Sequence, residues 1–148
     1  MDISDTLDIA APAAILWDLE TDIEGWPTVL PTVTSAKRLD AGPLRVGSTA
    51  RIEQPGLKPA VWTVTELEPG KRFAWWTSLF GVRTDAIHSI EPSGDGATNT
   101  LTLRLHGWRG RVLGTLLGGR MRDTIALENR AFREAALAAA GSGAGATP

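Results

Sequence analysis

The chain has no cysteine and no tyrosine, and only two histidines and two methionines among its 148 residues. Without cysteine there can be no structural disulfide and no thiolate metal site. The histidines, His88 and His106, lack metal-ligand spacing, so neither a metal nor any other cofactor is expected. His-Glu-x-x-His, Gly-x-Ser-x-Gly, a phosphate-cradling glycine loop and a dinucleotide fingerprint are also missing. Nor is there a surplus of charge: 15 Lys and Arg face 17 Asp and Glu, and a net charge of −2 argues against nucleic acid as the main partner. No apolar run approaches the roughly 20 residues that span a bilayer. Met1-Asp-Ile-Ser-Asp5 lacks the basic and apolar regions of a secretory leader. The expectation is a soluble cytoplasmic protein, monomer or homodimer, whose membrane contact is no more than transient.

What is present suffices for one packed domain. Hydrophobic residues make up 43% and charged residues 22%, which excludes disorder for the bulk of the chain. Six tryptophans stand against three phenylalanines. Tryptophan brings a large apolar body and a single N–H, suited to a core or to the wall of a cavity.

The stretch Trp108–Ala140 has no proline and is rich in strong helix formers toward its end. At about 100° per residue, Leu113, Leu117, Met121, Thr124, Ile125, Ala131, Phe132, Ala135 and Ala139 form one apolar stripe. Arg122, Asn129, Arg130 and Arg133 are assigned to the opposite side. Glu128 falls close to the centre of the stripe. A helix on the order of 45 Å, at about 1.5 Å per residue, needs a cover for that stripe.

The residues before it read as strands. Ile3–Ile9 alternates, and Pro12 opens a short helix over Ala13–Leu19. A second turn leads from Asp22 to Trp26-Pro27. Strands follow at Val33–Leu39, Gly47–Gln54, Ala60–Leu67, Phe73–Leu79, Thr84–Glu91 and Asn99–Gly107, separated by Pro- and Gly-rich turns. Seven strands with short connections pair antiparallel, and a curved sheet wrapped over the last helix buries both. One domain over residues 1–140 and a flexible tail over 141–148 are expected.

The order of elements, with Ala11-Pro12, Leu16-Trp17, Asp22 and Trp26-Pro27, resembles the START/Bet v 1-like (SRPBCC) superfamily. Val64-Thr-Glu-Leu-Glu-Pro69 before Arg72-Phe73, and Ile87-His-Ser-Ile-Glu-Pro92, strengthen the likeness. It is nearest to the bacterial polyketide cyclase/dehydrase and lipid-transport group. The resemblance spans about residues 2–140 and implies an α+β helix-grip fold. It also implies a cavity between sheet and helix for sterols, polyketides, quinones or other lipids. It does not imply one activity, because the scaffold hosts carriers, enzymes and protein-binding modules.

Alternation places His88 on the concave face with Ala86 and Ile90, and Trp75 with Phe73, Thr77 and Leu79. Trp62 is less determined, since Val61 and Trp62 can each claim the inner face. The residues expected around a ligand are Trp26, Trp62, Trp75, Thr77, His88, Leu103, Leu117, Met121 and Thr124. His88 and Glu128 are the acid/base candidates. The plain alternative for His88 is a bond to a neighbouring main-chain group. His106, opposite Leu103 and Leu105, is left out. Gly110, Gly114 and Gly118 recur every fourth residue, pointing to close packing or a deformable segment. Arg104, Arg109, Arg111, Arg120 and Arg122 gather near them as a basic face that suits solvent, an anionic ligand head or an acidic membrane surface. Three functions fit: a binding or transport protein for a small hydrophobic molecule; a polyketide aromatase/cyclase or dehydratase using His88 and Glu128; and a protein-interaction module. The first is favoured, since an enzyme of the second kind loses any phenolic acid with the missing tyrosine.

Overall fold

The computed structural model describes residues 1–145, with side chains described to Ser142. Strand β1 (Asp2–Ile9) is followed by α1 (Ala13–Thr21), a 3-10 turn (Ile23–Gly25) and α2 (Trp26–Val29). Then come β2 (Ser35–Arg38), β3 (Thr49–Glu53), β4 (Ala60–Glu68), β5 (Arg72–Leu79), β6 (Val82–Ser93), β7 (Gly96–Leu105) and α3 (Gly107–Gly145). The seven strands form one antiparallel sheet in the order β1-β7-β6-β5-β4-β3-β2. The expected helix-grip architecture is present. Strands β2 and β3 are shorter than their sequence suggests, and β6 and β7 are longer. Pro92 and Ser93 pair with Ala97 and Gly96, which leaves only Gly94 and Asp95 to turn the chain.

Register decides which side chains face inward. Ala50 pairs with Trp62, and Val64 with Trp75. Trp62 is therefore inside and buried, while Val61 is 48% exposed. A bulge between Val64 and Glu66 then resets the parity of β4. Without it Glu66 would follow Val64 inward; with it Leu67 does, opposite Phe73.

Helix α3 lies against β1 and β7, and α1 packs on it in turn. A Cβ on Gly110 would stand 2.7 Å from the Leu105 carbonyl carbon, and one on Gly114 would collide with Met1 and crowd Leu105. These two glycines let the helix approach the sheet. Gly118 would meet only Ile3, at an ordinary 3.7 Å. Two of the three glycines of the repeat thus serve close packing. The helix continues to Gly145 instead of ending at Ala140, and residues 146–148 of the expected tail lie outside the described residues.

The apolar stripe needs two corrections. Asn129 is fully buried, not on the solvent side. It lies one turn after Ile125, on the packed face, and its polar character disguised that placement. Near the end of the stripe Ala136 is buried, while Ala139 is exposed and Ala135 only half-buried. Phe132 is the deepest apolar contact of α3, fully buried and edge-on to both Trp26 and His88. Burying such a ring stabilises the fold by about 2–3 kcal/mol.

Candidate functional site

Between the sheet and α3 lies a cavity of about 410 Å³. Its walls come from β5, β6, β7 and α3, and from Trp26 of α2 and Trp62 of β4. Its mouth is bounded by Gln54–Leu57 after β3, by Leu79 and Phe80 after β5, and by Arg120 on α3. Phe80 holds a left-handed φ of 53° and is 65% exposed at that mouth. A volume of this size suits a small molecule: ligand pockets hold about 300–1,000 Å³.

Of the residues expected around a ligand, Trp26, Trp62, Trp75, His88, Leu103, Leu117, Met121 and Thr124 line the cavity, and so does Glu128. Thr77 does not. It is buried on the expected face, but its hydroxyl donates to the Val61 carbonyl at 2.8 Å, across to β4. Parity gave its face correctly; the neighbouring carbonyl took its hydroxyl. Thr124 spends its proton on the Arg120 carbonyl, 3.0 Å away. The tryptophans form a continuous aromatic wall, with Trp75 5.3 Å from Trp26 and 5.5 Å from Trp62 between ring centroids. The Trp26 indole N–H is buried and has no hydrogen-bond partner among the described residues.

His88 sits where β6 passes under α1. Its ring stacks on Phe73 at 4.3 Å, with planes 12° apart. Its Nδ1 lies 2.9 Å from Oε1 of Glu20, whose side chain is fully buried. The partner is thus a carboxylate from the first helix rather than a main-chain group. The Asn99 amide also sits against Glu20. With its nitrogen toward Oε2 it donates there at 3.0 Å, and to the Ser89 carbonyl at 3.2 Å. Asn129 continues the cluster, its amide 2.9 Å from the Asn99 amide and 2.9 Å from the Asp5 carboxylate of β1. Reasoning from sequence alone misses Glu20, Asn99 and Asn129 as partners. Glu20 was findable, because it lies one turn after buried Leu16 on the same face of α1, as Glu128 lies on the stripe of α3.

Glu128 is half-buried, and its Oε1 accepts a hydrogen bond from Thr32 at 2.7 Å. Burial holds its carboxyl above the usual carboxylate range; the Thr32 hydroxyl pulls the other way, less strongly. Its partner is thus a threonine, not an arginine. His106 lies outside the cavity, with Nε2 2.6 Å from Asp85. Of the basic residues, Arg104 pairs with Asp2 at 3.0 Å and Arg109 lies over the exposed Trp108 ring. Among the described residues no group of three or more His, Cys, Asp or Glu is placed to hold a metal ion, and no helix is long and apolar enough to cross a membrane.

A family model described as polyketide cyclase / dehydrase and lipid transport matches residues 1–136. No curated protein matches the chain. Among solved structures, TTHA0849 from Thermus thermophilus is 21% identical, with a TM-score of 0.73 over 94% of this chain and 99% of its own. The di-domain ARO/CYC StfQ from the steffimycin biosynthetic pathway is 14% identical, with a TM-score of 0.76 over 95% of this chain and 51% of its own. A START superfamily protein from Mycobacterium smegmatis is 19% identical, with a TM-score of 0.65 over 88% of this chain and 96% of its own. At these identities the likeness is one of fold.

Proposed function

The chain belongs to the polyketide cyclase/dehydrase and lipid-transport family, and on that premise we propose that it binds or carries a small hydrophobic molecule between its sheet and α3. The observation that carries this reading is the cavity itself, an apolar hollow walled by three tryptophans with few polar groups. Apolar surface supplies the affinity there, and the few polar groups orient the guest. The membership alone is compatible with a ligand-binding or a cyclase role. Lipids, polyketides, sterols and quinones all fit the chemistry of the walls.

The test is native mass spectrometry of protein purified under mild conditions, alongside a Leu117→Trp variant whose larger side chain fills the hollow. A lipophile that co-purifies with the wild type and is absent from L117W supports the reading. Equal recovery from both would place the molecule elsewhere and overturn it.

One observation favours a second reading, a cyclase or dehydratase. Glu128 is held toward its protonated form inside the cavity that also contains His88, so an acid and a base face one guest. Turnover of a polyketide-like chain that Glu128→Gln and His88→Phe each abolish, with binding retained, is its test.

A further inference from the structure

We propose that the inner wall of the cavity is a hydroxyl-recognition subsite, in which His88 Nε2 accepts a hydrogen bond from the ligand and Glu20 acts as a positioning residue. The ligand class is an apolar molecule bearing a hydroxyl group. This inference rests on the cavity-binding reading above.

Glu20 fixes the direction of the imidazole. An ionised carboxylate only accepts, so the 2.9 Å contact makes His88 Nδ1 the nitrogen that carries the proton. Nε2 is then the free nitrogen. It has no hydrogen-bond partner in the protein among the described residues, and the ring it belongs to lines the cavity. The ring is held in place: Phe73 stacks on one side, and Trp26 and Phe132 lie at 5.8 and 6.2 Å. Nothing else on β6 anchors it, which gives the buried carboxylate of α1 its purpose.

Trp26 contributes its ring to the same wall, 5% exposed, while its indole nitrogen is closed off from the cavity. Nε2 therefore stands among aromatic rings and asks for a ligand donor. A hydroxyl gives its O–H to Nε2. A ketone, an ether or an ionised carboxylate has no proton to give. The acceptor selects a neutral donor group, the hydroxyl.

The test compares 2-naphthol with 2-methoxynaphthalene, two probes of one ring system that differ in the hydroxyl proton, by quenching of tryptophan fluorescence. The wild type is expected to bind 2-naphthol about tenfold more tightly, the worth of one hydrogen bond to a buried group. His88→Phe brings the ratio to about one. Glu20→Gln frees the imidazole to take the other tautomer and also lowers the ratio, with binding of the methyl ether retained. Nitrogen-15 NMR of the unliganded protein gives a readout independent of any variant, with Nδ1 protonated and Nε2 bare. A ratio near one in the wild type, or a proton on Nε2, overturns the subsite and leaves the cavity reading standing. Failure of both probes to bind overturns the two together.

Discussion

Two stretches of α3 have the same helical period and opposite surroundings. From Asn129 to Ala136 the inward residues are fully packed: Phe132 is wedged between Trp26 and His88, and Asn129 is tied to β1 and β7. From Leu117 to Thr124 they are only half-buried and look across the cavity at Trp62, Trp75 and Leu103. Amphipathic spacing is equally good in both, so periodicity alone does not distinguish a core from a hollow. The difference lies in what the sheet and α2 place opposite. Where an aromatic ring comes up to meet the helix the interior closes, and where tryptophans stay back against the sheet it remains open.

The largest effect that separates the two stretches is expected from truncating each. Phe132→Ala removes a fully buried ring and should cost about 3–5 kcal/mol in chemical denaturation. Met121→Ala, facing the cavity, should cost less than about 1 kcal/mol, because little packing is lost. Comparable losses at the two sites would mean that the hollow is filled.

The glycines sharpen the comparison at the start of the helix. Gly110→Ala drives a methyl against the Leu105 carbonyl and should destabilise by about 1–3 kcal/mol. Gly118→Ala meets only ordinary contact, and better helix propensity should stabilise it by up to about 1 kcal/mol. Thermal unfolding of the pair reads the opposite signs, and a loss at both positions would show that Gly118 is also a close-approach site.

The smallest effect is one of pH. The Glu128 carboxyl is raised above its ordinary 4.5 by burial, so the folded state binds that proton more tightly than the unfolded chain. Its contribution is complete below 4.5 and is lost as pH rises through the raised value. Glu128→Gln keeps an acceptor for Thr32 and cannot ionise. Its Tm should therefore gain on the wild type as pH rises out of the acid range, with Glu20, His88 and Arg120 the ionisable groups nearest the cavity in both proteins. A constant difference across that range would contradict the burial of the carboxyl.

Much of the architecture was legible in the residues, because alternation and turn chemistry are local. Parity places Trp75, His88 and Leu103 on the concave face, and they are there. The pairings of the polar groups were not legible. His88 meets Glu20 across 68 residues, and Thr32 meets Glu128 across 96, contacts that no local pattern encodes. Thr77 shows a second limit: parity gives a face, but the Val61 carbonyl that takes its hydroxyl is set by strand pairing. At Trp62 the sequence left two choices, and pairing with Ala50 selected one of them.

Whether the interior holds a guest is read most directly by methyl NMR during titration with naphthalene. Expected are saturable shifts at Leu103, Leu117 and Met121, with Leu16 and Ile23 in the closed core unmoved. Shifts confined to exposed methyls such as Leu116 and Val46, or no saturation at all, would contradict a guest-holding cavity.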